Sequence, residues 1–199
     1  MISPIAPLKG KKRPSGYTLI QSMTLLRIPL SVIFLLILAY GKETNLWLGL
    51  SLVSLLAIEF TDAFDGKIAR RYGLVSESGA ALDPYADSIS RLVVYWALAD
   101  RSLVIFLVPL VMAVRDVTVA YARIVLAQNN RTVSAKLSGK VKAIVQASGA
   151  FIALLGPLYW EFTGTWTVLA LSWLIIVVTL LSAVEYVKDA LAAFKAASF

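Results

Sequence analysis

The sequence predicts an all-α, polytopic membrane protein with six transmembrane helices and both termini in the cytoplasm. Apolar residues make up 59% of the 199 positions, and the mean hydropathy of +0.78 is too high for a soluble domain of this length. Apolar stretches recur that can cross a bilayer, which takes about 20 residues each. Basic residues concentrate in alternate connections, and this pattern sets the orientation of the spans.

Each predicted span is an apolar run between polar connections. In chain order the runs cover residues 20–40, 45–61, 82–99, 102–128, 141–160 and 165–187. The second run ends early and the third begins among aspartates, so we expect those helix ends to face water or a cavity. Residues 17–199 should form one membrane domain. Residues 1–16, with three prolines and several basic residues, should form a juxtamembrane arm that contacts anionic lipid.

Lysine and arginine assign the orientation. One side of the predicted bundle carries Lys9, Lys11, Lys12, Arg13, Lys67, Arg70, Arg71, Arg131, Lys136, Lys140, Lys142, Lys188 and Lys195. The connections on the other side carry only Lys42 and Arg101. The positive-inside rule therefore places both termini and the connection at 62–83 in the cytoplasm. This topology also accounts for the net charge of +7, so we expect no nucleic-acid partner.

The chain contains neither cysteine nor histidine. Disulfides, thiolate metal sites and thiol nucleophiles are thereby excluded. The usual general base is missing as well, which leaves carboxylates as proton acceptors near neutral pH. Any bound metal should be a hard cation with oxygen ligands.

Four aspartates flank the connection between the second and third spans. Asp62 and Asp65 are three residues apart, and Asp83 and Asp87 are four apart, so each pair shares one helix face. Two adjacent helices could direct all four at one point, where two divalent cations would relieve their repulsion. Helix capping is the alternative for any single aspartate. It does not explain Asp62 and Asp65, which end a helix where the macrodipole disfavours negative charge.

Gly66 and Gly79 stand beside these aspartates and predict a nucleotide site. Without a Cβ, each lets a base or a diphosphate approach the backbone, and Arg70 is placed to meet a phosphate. Helix packing or a helix C-cap is the alternative for either glycine. Setting the membrane topology is the alternative for Arg70.

These residues together resemble the signature of the CDP-alcohol phosphotransferase family, with all eight positions occupied: Asp62-x2-Asp65-Gly66-x2-Ala69-Arg70-x8-Gly79-x3-Asp83-x3-Asp87. The resemblance implies a six-helix membrane fold, usually a homodimer, that binds two Mg²⁺ or Mn²⁺ ions. It implies that the first three aspartates bind these ions, and that Asp87 both contributes to metal binding and deprotonates the acceptor hydroxyl. Gly66, Ala69, Arg70 and Gly79 would line the cytidine diphosphate site.

The fourth and fifth spans carry basic residues at membrane depth. Arg115 and Arg123 are eight residues apart, about two turns on one face, and Lys140 and Lys142 begin the next span. Together they predict a pocket for a phosphate on the acceptor. The alternatives are that Arg115 pairs with a nearby carboxylate and that the lysines only hold their connection inside.

Three acidic partners are open to the intramembrane arginines. Arg115 could pair with Asp116, with Glu59 or with a motif aspartate. Arg91 follows Asp87 by four residues and either holds that carboxylate or forms a salt bridge with Glu59.

Residues 115–146, and the segment Thr24-Leu25-Leu26-Arg27, also resemble the phosphatidylglycerophosphate synthases within this family, whose acceptor is sn-glycerol 3-phosphate. Those proteins commonly have Trp, Glu and Lys where this chain has Ala63, Asp116 and Ser88. The resemblance implies CDP-diacylglycerol and a phosphorylated polyol as substrates, a lipid membrane as surroundings, and an active site facing the cytoplasm at a prokaryotic plasma membrane.

Other functions stay open at this point. Within the enzyme class, the acceptor could instead be inositol phosphate, and then serine, inositol or choline. A cation transporter is the alternative of a different class, because intramembrane carboxylates often mark ion pathways. That function predicts carboxylates spread across the membrane depth, whereas all four motif aspartates lie at one predicted end.

Overall fold

The computed structural model describes the backbone of residues 15–42, 44–71, 77–128, 137–158 and 165–197. Side chains are described for residues 24–42, 44–61, 64, 82–128, 137–158 and 165–193. Within these ranges the chain forms α1 (Ser15–Tyr40), α2 (Asn45–Arg71), α3 (Glu77–Asp100), α4 (Leu107–Gln128), α5 (Leu137–Leu155) and α6 (Trp166–Ala197). A 3₁₀ turn, Gly156–Leu158, follows α5, and no strand occurs in the described part.

The all-α prediction is therefore confirmed, and each predicted apolar run coincides with one helix. Helix α2 continues past its run to Arg71, so the motif segment that follows Thr61 is helical. Most of the predicted juxtamembrane arm, residues 1–14, lies outside the described residues.

Two described segments are long and apolar enough to cross a membrane by length and composition. They are Leu137–Leu158, with a mean hydropathy of 1.6, and Trp166–Ala193, with 2.5. Thr24–Tyr40 and Asn45–Thr61 are shorter apolar helices. Helix α4 is continuous but contains the charged residues Arg115, Asp116 and Arg123, and it does not meet this criterion. The arrangement of six spans therefore stays a prediction.

The helices pack as two groups that are joined by α5 and by a direct contact of α3 with α4. Helix α1 packs chiefly against α2 and α3, and α4 packs chiefly against α6. Helix α5 contacts α6, α2 and α3. At Gly149 of α5, an added Cβ would lie 2.9 Å from both the Tyr95 hydroxyl of α3 and Cδ1 of Ile175 of α6. Glycine there permits the close approach of all three helices.

The outer surface of the bundle is apolar, like much of its core. Large apolar side chains such as Val53, Val117, Ile144 and Leu181 are more than half exposed. Hydroxyl, amide and charged side chains are buried together with this apolar core, including Thr24, Arg27, Ser51, Ser90, Arg91, Arg115, Lys142, Gln146, Ser172, Thr179 and Ser182. An apolar outer surface this extensive suits contact with lipid.

The end of the bundle that is remote from Asp83 and Asp87 is held by Arg101. Its guanidinium donates hydrogen bonds to the carbonyl oxygens of Leu38 and Gly41, the latter at 2.9 Å. The Trp47 indole donates to the carbonyl oxygen of Ile37 at 3.0 Å, and Arg101 lies 5.8 Å from the Trp47 ring centroid. Arg101 thus satisfies the Leu38 carbonyl in the last turn of α1, whereas the Ile37 carbonyl also accepts the Gly41 backbone N–H at 2.9 Å.

Candidate active site

The predicted signature lies on the C-terminal part of α2 and the N-terminal part of α3. Asp83 and Asp87 have described side chains, one turn apart on α3. The side-chain surroundings of the other motif positions lie outside the described residues: Asp62, Asp65, Gly66, Ala69, Arg70 and Gly79. Their backbone is helical, so the spacing arguments for Asp62 with Asp65 apply to an observed helix.

Asp83 is exposed at the start of α3 and is tied to α1. The buried Thr24 hydroxyl donates a hydrogen bond to Oδ1 of Asp83 at 3.1 Å. This contact orients one carboxylate of the motif from a neighbouring helix. Sequence reasoning did not assign Thr24 a role, although the residue stands out as a hydroxyl beside an arginine, Arg27, in an apolar run.

Asp87 is held by Arg91, and Arg91 also contacts Glu59. Nε of Arg91 donates to Oδ1 of Asp87 at 2.8 Å, and Nη1 lies 3.5 Å from Oε1 of Glu59. Both alternatives left open for Arg91 therefore occur together. A small cavity of about 10 Å³ adjoins these groups, with room for about one water molecule. It is lined by Arg27, Ile58, Glu59, Asp87, Ser90 and Arg91.

A second charged cluster lies between α4, α5 and α6, with Asp116 at its centre. Oδ1 of Asp116 accepts hydrogen bonds from Nη1 of Arg115 at 2.9 Å and from Nζ of Lys142 at 3.3 Å. Nε of Arg115 also donates to the Ser182 hydroxyl at 2.9 Å. The pairing of Arg115 with Asp116, one of the predicted alternatives, is thus present. It leaves a cluster with more positive than negative charge.

Arg123 joins this cluster through Tyr186. The guanidinium carbon of Arg123 lies 5.3 Å from the Tyr186 ring centroid, and that of Arg115 lies 6.0 Å from it. Tyr186 is buried, and an aromatic ring attracts a cation at such a distance. Nε of Arg123 is buried and has no hydrogen-bond partner within the part of the chain that the structure describes.

Lys140 does not share the environment of Lys142. Lys140 is exposed, whereas Lys142 is buried against Asp116. Two residues along a helix correspond to about 200° of rotation, which places the two side chains on different faces. The structure thus brings together Arg115, Arg123 and Lys142 of the four predicted residues.

A buried polar stripe on α6 was missed by sequence reasoning. It comprises Ser172, Thr179, Ser182 and Tyr186, whose spacings keep them on one helix face. Ser182 meets Arg115, and Thr179 accepts a hydrogen bond from the Gln146 amide at 2.9 Å. Polar residues recurring at helical spacing in the apolar sixth run were the available signal.

The site contains carboxylates suited to a hard cation. Asp83 and Asp87 present oxygen donors one turn apart, which fits Mg²⁺ or Mn²⁺ and does not fit a soft metal. Among the residues with described side chains, no group of three or more Asp, Glu, His or Cys could hold a metal ion. The side chains of Asp62 and Asp65 lie outside those residues.

Comparisons with known proteins agree with these features. Residues 17–184 match the family model of the CDP-alcohol phosphatidyltransferases. A probable phosphatidylglycerophosphate synthase of Mycobacterium tuberculosis is 32% identical over 176 residues, which cover 85% of this chain and 79% of the relative.

Two further relatives are named CDP-diacylglycerol–glycerol-3-phosphate 3-phosphatidyltransferase. The protein of Rickettsia felis is 29% identical over 171 residues, covering 83% of this chain and 91% of the relative. The protein of Bacillus subtilis is 32% identical over 127 residues, covering 63% and 65%. With its signature on two neighbouring helices and a family match over most of its length, the chain belongs to the CDP-alcohol phosphatidyltransferase family, a family of transferases.

Proposed function

We propose that this protein transfers the phosphatidyl group of CDP-diacylglycerol to the hydroxyl of sn-glycerol 3-phosphate during phospholipid biosynthesis. The products are CMP and phosphatidylglycerophosphate. The observation that carries the proposal is the pairing, within one bundle, of an aspartate motif on α2 and α3 with a buried cationic cluster on α4, α5 and α6. The names of the relatives from Rickettsia felis and Bacillus subtilis describe the same reaction.

The contact between Glu59 and Arg91 supports a shared position for the four aspartates. Helices α2 and α3 are joined by a short connection and therefore run in opposite directions. Asp62 lies one turn beyond Glu59 on α2, and Asp87 lies one turn before Arg91 on α3. Both aspartates are thus displaced from the contact towards the same end of the bundle.

In the proposed reaction, Asp62, Asp65 and Asp83 hold two divalent cations, Mg²⁺ or Mn²⁺, with a contribution from Asp87. Bound there, the cations neutralise charge on the diphosphate and lower its resistance to attack. Gly66 and Gly79 leave room for the cytidine diphosphate beside the helix backbone, with Ala69 and Arg70 also lining its site.

The chemical step needs one base. The acceptor hydroxyl oxygen bonds to the lipid-side phosphorus, the bond from this phosphorus to the bridging oxygen breaks, and CMP leaves. The hydroxyl proton passes to the Asp87 carboxylate. Arg91 occupies Oδ1 of Asp87, so we assign proton acceptance to Oδ2.

The acceptor phosphate is assigned to the cationic cluster. Among the described side chains, Asp116 is the carboxylate in hydrogen-bond contact with Arg115 and Lys142, and Arg123 adds a third positive charge, so the cluster suits a phosphate dianion. The buried Nε of Arg123 is a donor available to a phosphate oxygen. Exposed Lys140 would act at the mouth of the pocket. The Lys142 ammonium and the Asp87 carboxylate are close enough to interact electrostatically, which links this pocket to the base.

The excess positive charge of the cationic cluster also indicates which other acceptors would bind best. Inositol phosphate carries a phosphate and is the next candidate. Serine, inositol and choline lack a phosphate, and each would leave the cluster uncompensated at a high cost in free energy.

We place the protein in a prokaryotic plasma membrane with six spans and the active site facing the cytoplasm. The exposed apolar surface and the distribution of Lys and Arg support this placement. Exposed aromatic residues lie at the end of the bundle away from Asp83 and Asp87, as expected for a membrane interface: Tyr40, Trp96, Phe106 and Trp166. A homodimer, usual in this family, is part of the proposal.

The test is a reconstituted assay with purified protein, CDP-diacylglycerol and a panel of acceptors. With Mg²⁺ or Mn²⁺, we expect CMP release and phosphatidylglycerophosphate, identified by mass spectrometry, from sn-glycerol 3-phosphate, and neither product after chelation. CMP release with inositol phosphate, serine or choline but never with glycerol 3-phosphate would overturn the acceptor assignment. No CMP with any acceptor, accompanied by cation flux across liposomes, would replace the transferase with a transporter.

A further inference from the structure

Arg91 is a charged residue in a position where charge is costly. It lies within the third apolar run, and its side chain is only 9% exposed. Removing a guanidinium from water is expensive unless it gains partners of good geometry. Its retention therefore calls for a role that an apolar residue of similar volume cannot fill.

The guanidinium of Arg91 connects three helices. On its own helix it donates from Nε to Oδ1 of Asp87 at 2.8 Å. From Nη1 it reaches Oε1 of Glu59 on α2 at 3.5 Å and the carbonyl oxygen of Ala143 on α5 at 3.5 Å. Because a guanidinium is planar and rigid, contacts on Nη1 also fix the direction of Nε–H.

This geometry fixes the Asp87 side chain. A carboxylate at the end of a short side chain rotates readily, because its terminal torsion is broad. The short hydrogen bond from Nε of Arg91 to Oδ1 restricts this rotation and leaves Oδ2 as the oxygen that Nε does not contact. Asp87 is partly exposed, with 27% of its side chain accessible, so packing alone does not hold it.

Glu59 holds Arg91 in turn. The Glu59 carboxylate contacts Nη1, whereas Asp87 contacts Nε, and Glu59 balances the positive charge of the guanidinium. Without Glu59, Nη1 of Arg91 would lose its carboxylate partner and keep the contact with the Ala143 carbonyl oxygen, which opposes less strongly a turn of the guanidinium towards a bidentate pair with both oxygens of Asp87.

We propose that Arg91, clamped by Glu59, is a positioning residue that fixes the Asp87 carboxylate so that one oxygen stays available to the acceptor hydroxyl. The proposal rests on the proposed function, and it predicts a loss in the chemical step with little change in substrate affinity. Loss of a group that orients a reacting side chain typically costs about 10- to 100-fold.

The test compares Arg91→Gln, Arg91→Lys, Glu59→Gln and the double variant Glu59→Gln/Arg91→Gln with the wild-type protein. The rate of CMP release is expressed per CDP-binding site, so that unfolded protein does not contribute. We expect kcat to fall about 10- to 100-fold in Arg91→Gln, while the KM values for both substrates stay within about threefold. Arg91→Lys should recover part of kcat, since an ammonium reaches Asp87 but cannot also contact Glu59 through a rigid plane.

The double variant tests whether Glu59 acts on Asp87 through Arg91. If Glu59 acts through Arg91, Glu59→Gln lowers kcat in the wild-type background and has no further effect when Arg91 is already Gln. Independent losses that multiply in the double variant would overturn the clamping role. Stabilisation of each variant by Mn²⁺, measured as a rise in the thermal unfolding midpoint, shows that the carboxylate site is intact.

Arg101→Gln is the matched control, because Arg101 is also a helix-linking arginine but lies at the remote end. It should lower the unfolding midpoint and leave kcat per site unchanged. Wild-type kcat in Arg91→Gln, or equal losses of kcat per site in Arg91→Gln and Arg101→Gln, would overturn the positioning role alone. A wild-type protein that releases no CMP with any acceptor would instead overturn the proposed function on which it rests.

Discussion

The two halves of the bundle bury charge in opposite ways. In α1–α3, the Asp83 and Asp87 carboxylates each accept a hydrogen bond on Oδ1, from Thr24 and Arg91 respectively. Asp83 is exposed and Asp87 is partly exposed. In α4–α6, two cationic side chains are buried around one carboxylate, and a third is partly buried beside an aromatic ring. In the proposed function, the first half receives cations and the second receives an anion. Donor activation and acceptor recognition would then be carried by different helices, which meet through contacts of α5 with α2 and α3 and of α3 with α4.

The sharpest test of this division is Asp87→Asn. A neutral amide cannot accept the hydroxyl proton, and positioned general bases contribute about 10²- to 10⁴-fold, so we expect kcat for CMP release to fall by that factor. Folding and most of the Mn²⁺ binding should persist, as measured by thermal unfolding with and without Mn²⁺.

Asp100→Asn supplies the control for that variant, because Asp100 ends the same helix and is exposed. It should keep wild-type kcat. A comparable loss in both variants would mean that Asp87 has no special role.

In the basic half, Arg115→Ala should act on the acceptor. Hydrogen bonds to charged groups contribute about 1.5–3 kcal/mol, so we expect KM for glycerol 3-phosphate to rise about 10- to 100-fold. The affinity for CDP-diacylglycerol should change by less than about twofold, because the proposed donor site lies in the other half. Titrations of both substrates measure this. An equal loss of nucleotide binding in Arg115→Ala and Asp87→Asn would break the division of roles.

The junction of the halves can be tested at Gly149. In Gly149→Ala, the new Cβ would lie 2.9 Å from Cδ1 of Ile175 and from the Tyr95 hydroxyl, so these side chains or α5 must shift, and a shift of Tyr95 would strain its 2.6 Å hydrogen bond to the Gln146 carbonyl oxygen. Overpacking of this kind costs about 1–3 kcal/mol, and the thermal unfolding midpoint should fall.

Gly49→Ala is the matched control for the junction, since nothing lies within 4 Å of a Cβ at Gly49. That variant gains helix propensity of up to about 1 kcal/mol and should not lower the midpoint. A midpoint for Gly149→Ala at or above that of Gly49→Ala would show that the halves are not closely packed there.

The smallest expected effect is that of Ser182→Ala. The Ser182 hydroxyl accepts a hydrogen bond from Nε of Arg115, and its loss should cost about 0.5–1.5 kcal/mol. We expect KM for glycerol 3-phosphate to rise between about two- and tenfold, with kcat unchanged. Ser148→Ala removes a hydroxyl that bonds only within α5 and faces outward, and its kinetics should match wild type. Identical KM values for the two variants would remove α6 from acceptor binding.

The sequence predicted the structure best where a feature depends on a pattern within one short segment of the chain. Long apolar runs predicted the helices, because an uninterrupted run of that length leaves few other structures for the chain. The aspartate spacing predicted which residues share a helix face. Contacts between residues distant in the chain were harder to predict. For Arg91 the sequence allowed either Asp87 or Glu59 as the partner, and Glu59 is 32 residues away. Only the packing of the helices shows that Arg91 contacts both.

The roles of Ser182 and Tyr186 were not predicted for a different reason. Hydroxyl groups in apolar helices usually bond to their own backbone, as Ser182 also does with the carbonyl oxygen of Thr179. Nothing local marks the ones that meet an arginine on another helix. The face of α6 that turns inward, and its partner, depend on tertiary packing.

The dependence of α4 on α6 bears on how the protein is made. In the proposed orientation, α4 emerges from the ribosome with Arg115 and Arg123, and the serine and tyrosine that accommodate them are encoded more than 50 residues later, since 67 residues separate Arg115 from Ser182. The fourth helix therefore enters the bilayer with Asp116 as the charged partner of Arg115, but before its polar partners on α6 exist. Since buried arginines need such partners, we expect α4 to reach its final position, and the proposed acceptor site to be completed, only after the last helix is made.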